Sequence, residues 1–171
     1  NDILINSVRK YPTKRAVQYA TYSYTYEEFH KRVCKAANAL KEEGVKYQDR
    51  VAVICHNCNA YLEIFFACAK LGAISEHYNW RLAPSKLWEL LEESPAKVVI
   101  ISDKFAEIYD YLKSHLSRQV TFIFVGDETK NSQSYEEFIN DKLETCDGRG
   151  LKDSDVAIQL YTSGTTGKPK G

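Results

Sequence analysis

Apolar positions along the chain follow two different patterns. Continuous apolar runs, typical of strands that are covered on both faces, occur at 50–55, 97–101, 120–125 and 156–161, and a shorter run occupies 73–75. Between these runs the apolar residues recur at helical spacing. This spacing predicts helices over 3–8, 25–44, 59–71, 84–94, 103–112 and 134–143. Two short runs with alternating tyrosines, 16–19 and 22–24, predict a hairpin before the second helix.

The alternation of apolar strands with helices of about ten or more residues indicates right-handed βαβ crossovers. We therefore predict an α/β fold with three layers, αβα, around a mostly parallel, doubly wound sheet. The chain has 171 residues, and we expect residues 1–171 to form a single domain. Since ligands of such sheets bind beyond the carboxyl ends of the strands, candidate chemistry is sought there.

Composition excludes several classes of partner. Lys plus Arg and Asp plus Glu each number 23, so the net charge is zero and no long run of one sign favours nucleic acid. The longest apolar runs, such as 64–69, are too short for a transmembrane segment. The N-terminus lacks the pattern of a signal peptide. We expect a soluble, cytoplasmic protein without a transmembrane segment.

Cysteine and histidine offer few candidates for catalysis. The five cysteines are scattered through apolar segments, and we expect them to be reduced thiols. Cys55 and Cys58 lie between a strand and a helix, as the redox pair of a thioredoxin does, but no second pair completes a zinc site. We interpret them as ordinary thiols. The four histidines lie in separate segments and are predicted to be surface or capping residues.

The strongest candidate for chemistry is the last stretch of the chain, YTSGTTGKPKG at 161–171. Its glycines allow backbone amides to turn toward one point, its hydroxyls add donors, and its lysines supply positive charge. Such a loop suits a polyphosphate, most simply ATP. A Walker motif would need glycine at Thr162 and a hydroxyl at Pro169, and a dinucleotide motif would also need glycine at Thr162. Both motifs are excluded. A solvated linker can share this composition, though rarely this order.

This stretch resembles the signature loop of the adenylate-forming superfamily, which contains acyl-CoA synthetases, luciferases and the adenylation domains of peptide synthetases. The residues in place are Gly164, Thr166, Gly167, Pro169, Lys170 and Gly171. The likeness extends over nearly the whole chain, which looks like the first third of such an enzyme. Because it has no methionine and stops inside the motif, we expect a fragment of a longer protein. Peptide-synthetase domains usually carry serine at Thr165, and the turn 79–82 is more like that of acyl- or aryl-CoA ligases.

The resemblance implies an acid:CoA ligase that joins a carboxylic acid to CoA through an acyl-adenylate and releases pyrophosphate. ATP, Mg²⁺ and CoA are the implied cofactors and co-substrates. The implied ATP contacts are Thr162, Ser163, Gly164, Thr165, Thr166, Gly167 and Lys170. Lys170 is the implied catalytic residue and Thr166 the implied metal ligand, whereas Lys168 falls at a variable position of the family.

Other functions stay open at this point. The adenine-binding segment, the acidic magnesium ligand, the acyl pocket and the C-terminal lysine of the family are not in these residues, so we expect the fragment alone to be inactive. The alternatives are a peptide-synthetase adenylation domain, a non-catalytic nucleotide-binding module and, more distantly, a thioredoxin-like reductase. For Arg81 we expect a structural role in its turn, paired with a carboxylate, rather than a ligand contact.

Overall fold

A computed structural model of the chain describes residues 2–126, 133–148, 151–152 and 154–161. The six helices described are α1 Asp2–Lys10, α2 Tyr26–Glu42, α3 Asn59–Leu71, α4 Pro84–Glu93, α5 Ala106–His115 and α6 Tyr135–Asn140. The strands described are β1 Arg15–Tyr19, β2 Tyr22–Thr25, β3 Arg50–Ile54, β4 Ile74–His77, β5 Ala96–Ser102, β6 Thr121–Val125 and β7 Ile158–Leu160.

The main sheet has five parallel strands in the order β6-β5-β3-β4-β7. The chain proceeds from β3 to β4 in one direction and then crosses back to place β5 and β6 on the other side of β3. This reversal puts crossover helices on both faces of the sheet. The hairpin of β1 and β2 forms a separate antiparallel pair. The predicted α/β fold with a doubly wound parallel sheet is confirmed.

Two apolar layers cover the sheet, one on each face. On the first face α2, α3 and α6 pack on alternate strand residues such as Val51, Val53 and Ile100. On the second face α4 and α5 pack on the intervening residues, including Ala52 and Ile101. Because every second residue of β3 and β5 belongs to one layer and the rest to the other, both faces of these strands are apolar. This explains their continuous apolar runs in the sequence.

Helix ends are fixed by the residues that the sequence marked. Thr25 and Ser134 each begin a helix as part of a complete capping box, with Glu28 and Glu137 as the reciprocal partners. Gly72 ends α3 in the left-handed conformation at φ +68. A Cβ at this position would lie 2.7 Å from the ring of Tyr47, so glycine is needed here for space as well as for conformation.

α3 buries two charged side chains and exposes an apolar one. The apolar Leu62 is 41% exposed, while Glu63 is fully buried and Lys70 is 2% exposed. Glu63 is tolerated because it has well-placed partners: Arg32 Nε lies 2.7 Å from Oε1, and Tyr135 OH donates to Oε2 at 2.8 Å. This network joins α2, α3 and α6. Polar side chains therefore share the buried face of α3 with apolar ones.

Three smaller differences concern element ends. A short 3-10 helix, Asp103–Phe105, precedes α5, with Ser102 accepting from the amide of Lys104. α6 ends at Asn140, and Leu143, predicted to lie on its buried face, is 72% exposed. β7 has three residues rather than the six predicted, because its ladder with β4 pairs only Ile158 to Leu160.

Cys34 and Cys146 form a disulfide, so the prediction of reduced thiols was wrong for this pair. Cys34 lies on α2, and the segment after α6 returns along that helix. Asn38 Nδ2 donates to the carbonyls of Leu143 at 2.9 Å and Thr145 at 3.0 Å, which brings Cys146 against α2. The two cysteines are 112 positions apart in sequence, so no local pattern predicts the pairing.

In the part of the chain that the structure describes, no helix has both the length and the apolar content needed to span a bilayer.

Candidate functional site at the carboxyl edge of the sheet

The carboxyl ends of β4 and β7 lie side by side. Their parallel ladder pairs Glu76 with Gln159 and His77 with Leu160. The predicted phosphate loop follows β7 directly in sequence, at the edge where parallel sheets bind ligands. Of that stretch, Tyr161 is described, and the predicted site residues lie outside the described residues. These are Thr162, Ser163, Gly164, Thr165, Thr166, Gly167, Lys168 and Lys170.

Tyr161 is anchored on both its ring and its hydroxyl. Its OH donates to Glu76 Oε1 at 2.8 Å and accepts from Gln159 Nε2 at 3.2 Å. Its ring stacks on Tyr78, with 5.1 Å between the ring centres. Burial raises the pKa of both tyrosines, so each keeps its phenolic proton at neutral pH. The residue that precedes the predicted loop thus has a defined position.

β4 carries a run of buried polar residues, and two of them, Glu76 and His77, lie beyond the predicted strand 73–75. Ser75, Glu76 and His77 are all buried. Ser75 Oγ and His77 Nε2 are 2.7 Å apart on the side of α3, where the imidazole also lies against the ring of Tyr61. Glu76 points to the other face, toward Tyr161. The prediction of a surface or capping role was therefore wrong for His77. The sequence feature that could have indicated these buried residues is the polar run directly after a short apolar strand.

Burial lowers the pKa of His77 from its ordinary value of 6.5 to about 4. In the unfolded chain His77 is protonated below pH ~6.5, whereas in the folded chain it stays neutral until pH ~4. Protonation therefore favours the unfolded chain between these values, and stability falls as the pH drops through this window. We expect His77 to lower the free energy of unfolding by about 2 kcal/mol when the pH is reduced from ~7 to ~5. Urea denaturation at both pH values should show a shallower decline for His77→Asn than for the wild type. Equal declines would contradict the assignment.

A cavity of about 450 Å³ opens beyond β3, β5 and β6, and it is lined by Cys55 and Cys58, among other residues. Cys55 is buried, and its Sγ lies 3.6 Å from the carbonyl of Ile100. Burial raises the pKa of the Cys55 and Cys58 thiols, which opposes thiolate formation. Within the described ranges, no cluster of three or more metal-ligating side chains is found. These observations support ordinary thiols here.

The turn 79–82 packs as a structural element. Asn79 Oδ1 accepts from the amide of Arg81 at 3.1 Å. The Arg81 guanidinium lies 4.2 Å from the centre of the Trp80 ring, whose other contacts include Phe105 and His56. Among the described residues Arg81 therefore lies against an aromatic face and not against the carboxylate that we predicted, and planar guanidinium groups favour such stacking.

Comparison with known families decides the relationship of the chain. The family model described as "AMP-binding enzyme" matches residues 4–171. The chain belongs to the AMP-binding enzyme family. The predicted resemblance to adenylate-forming enzymes is thereby confirmed.

Several members of the AMP-binding family resemble this chain. A putative acyl-CoA ligase, YdaB of Bacillus subtilis (strain 168), is 29% identical over 91% of the chain and 31% of its own length. The fatty acid–[acyl-carrier-protein] ligase ScoC of Streptomyces coeruleorubidus is 34% identical over 94% of the chain and 30% of its own length. In the crystal structure of the anthranilate CoA ligase AuaEII with anthranoyl-AMP, the fold matches with a TM-score of 0.93 at 24% identity, over 98% of this chain and 33% of that one.

The chain spans about a third of the length of the curated AMP-binding relatives it matches. Its similarity to those relatives therefore concerns this portion.

Proposed function

We propose that this chain belongs to an ATP-dependent acid:CoA ligase and supplies its phosphate-binding loop. In the proposed reaction a carboxylate attacks the α-phosphorus of ATP, which forms an acyl-adenylate and releases pyrophosphate. The thiol of CoA then takes the acyl group and AMP leaves. The substrates are a carboxylic acid, ATP and CoA.

The observation that carries this proposal is the anchoring of Tyr161 at the carboxyl end of β7. Its bond to Glu76 and its stack on Tyr78 hold the chain at the point where the loop begins. The loop then starts at the edge of a parallel sheet, where architecture favours a phosphate ligand. Family membership over 4–171 and relatives that are CoA ligases by name support the same assignment.

Each part of the loop has a physical role in the proposal. Backbone amides near Gly164 and Gly167, with the hydroxyls of Thr162, Ser163, Thr165 and Thr166, donate to the phosphate oxygens. Lys170 adds a positive charge where negative charge builds on the departing pyrophosphate. Groups placed in advance stabilise that charge more in the transition state than in the ground state, which accelerates the step.

The donor set also fits Mg²⁺ bound together with a triphosphate. Mg²⁺ prefers oxygen ligands and is commonly held by one or two protein oxygens with the phosphates and water. The hydroxyl of Thr166 is the oxygen that we assign to it. When bound, the ion neutralises phosphate charge.

A second acceptor is supported by one relative. ScoC, at 34% identity, is by name a fatty acid–[acyl-carrier-protein] ligase. Transfer of the acyl group to a carrier-protein thiol is therefore the alternative to transfer to CoA. Both reactions share the adenylation step, so they require the same loop.

Pyrophosphate exchange tests the proposal on the full-length protein that contains this chain. The protein is incubated with ATP, Mg²⁺ and labelled pyrophosphate, and a panel of aliphatic and aromatic carboxylic acids is added one at a time. We expect label to enter ATP only with the acids that are substrates. CoA or a phosphopantetheine carrier protein is then supplied to the accepted acid, and the thioester formed identifies the acceptor. Binding of ATP without exchange for any acid would favour a non-catalytic nucleotide-binding module instead.

A further inference from the structure

Glu76 is a fully buried carboxylate on β4. Its Oε1 accepts from Tyr161 OH at 2.8 Å, while Oε2 is buried and makes no hydrogen bond of standard geometry among the described residues, although the Tyr78 hydroxyl lies close enough to interact with the carboxyl group. Within the same ranges, no Lys, Arg or His lies close enough to form a salt bridge with it. Removing a carboxylate from water without a cation costs several kcal/mol. The fold therefore retains a costly group at this position.

The position of Tyr161 depends on side chains more than on the sheet. β7 has three residues and lies at the edge of the sheet, with Ile158 42% and Leu160 54% exposed. Tyr161 comes after the last ladder pair, which joins His77 to Leu160. The bond to Glu76 and the stack on Tyr78 are thus contacts from the neighbouring strand that help to fix where the chain leaves the sheet.

We propose that Glu76 is a positioning residue for the loop at 162–171, acting through the hydroxyl of Tyr161. This inference rests on the proposed function and adds a residue that lies 86 positions before Thr162 in the sequence. Catalytic groups must be held within about 0.5 Å of their productive positions, and a displacement of about 1 Å can cost a factor of about 100 in rate. A fixed starting point at Tyr161 limits such displacement in the segment that follows it.

A positioning role and a purely structural role predict opposite effects for an apolar replacement. Leucine in place of Glu76 removes the desolvation cost of a buried carboxyl group, but it also takes the acceptor away from Tyr161 OH, so stability must be measured beside the rate. If Glu76 has only a structural role, Glu76→Leu leaves the rate of the reaction unchanged in the folded protein. If Glu76 positions the loop, the same variant loses rate even under conditions where it is fully folded.

The test uses Glu76→Leu, Glu76→Gln, Tyr161→Phe and the double variant Glu76→Leu/Tyr161→Phe in the full-length protein. Each is assayed by pyrophosphate exchange with an accepted acid. We expect Glu76→Leu and Tyr161→Phe each to lower kcat by about 10-fold with little change in KM for the acid. The double variant should be no slower than either single one, because both changes break the same bond. Glu76→Gln keeps an acceptor oxygen and should retain most of the rate.

A second measurement reports on the loop without relying on activity. Trypsin cleaves after Lys170 but not at the Lys168–Pro169 bond, so limited proteolysis followed by mass spectrometry reads the exposure of the loop. We expect faster cleavage after Lys170 in Glu76→Leu than in the wild type, at a temperature well below the melting temperature of both proteins. Equal cleavage together with a wild-type kcat would overturn the positioning role, as would rate losses that multiply in the double variant.

Tyr47→Phe is the matched control. Tyr47 OH donates to Asp155 Oδ1 at 2.5 Å, which is also a tyrosine–carboxylate bond, but it lies before the amino end of β7. We expect this variant to keep both the kcat and the cleavage pattern of the wild type. Absence of exchange for every acid in the wild type would remove the proposed function, whereas the proteolysis comparison would still decide whether Glu76 holds the loop.

Discussion

Replacing Lys170 with alanine in the full-length protein is expected to slow acyl-adenylate formation by about 100-fold, the loss typical for one preplaced group that stabilises developing charge. The carboxylic acid does not contact this lysine in the proposed reaction, so its KM should change far less than kcat. Pyrophosphate exchange measured across concentrations of the accepted acid separates the two constants.

Lys168 provides the matched control for this prediction, because it carries the same charge two residues earlier. We predict that it falls at a variable position of the loop, so Lys168→Ala should lower the rate much less than Lys170→Ala. Equal losses in the two variants would indicate that the loop acts through its total charge. A wild-type rate in Lys170→Ala would remove this residue from the proposed mechanism.

Loss of the disulfide between Cys34 and Cys146 is expected to lower the free energy of unfolding by about 4 kcal/mol. The bond closes a loop across 112 positions, and long loops lose the most conformational freedom in the unfolded chain when they are closed. Cys146→Ser is the preferred variant, since Cys146 is only partly buried whereas Cys34 is fully buried and would leave a buried hydroxyl. Urea denaturation of the oxidised wild type and of this variant measures the difference.

Two controls accompany the denaturation experiment. Cys58→Ser changes a free, partly buried cysteine and should have a small effect. A reductant should lower the stability of the wild type toward that of Cys146→Ser and leave the variant unaffected. If alkylation of the unfolded, unreduced protein modifies all five cysteines, the bond is absent and the expectation fails.

The elements of the fold were predictable where local and global requirements agree. The apolar runs of β3, β5 and β6 reflect burial on both faces, and the capping boxes at Thr25 and Ser134 mark helix starts through bonds within four residues. The alternation of helices and strands predicted a parallel, doubly wound sheet. It did not predict the order of the strands within that sheet. The position of the candidate site at the end of β7 came from the same rule of architecture.

The remaining features depend on contacts between residues far apart in sequence. Glu63 is buried because Arg32 and Tyr135 reach it from two other helices, and neither partner is visible from the pattern around α3. The same holds for Glu76, whose partner Tyr161 directly follows the neighbouring strand β7. In the sequence, a buried polar residue of a short strand looks the same as an exposed loop residue, because its hydrogen-bond partner is not visible there. For this reason the predicted strand 73–75 ended two residues before β4 does.

The outer edge of β7 has a consequence for handling this chain by itself. In the described part of the structure β4 pairs with one side of this strand, and the other side presents free backbone amides and carbonyls beside Ile158 and Leu160. An open, apolar strand edge is a template on which another chain can add. Preparations limited to these 171 residues should therefore self-associate through this strand, and a lysine at Leu160 would be a direct way to keep them monomeric.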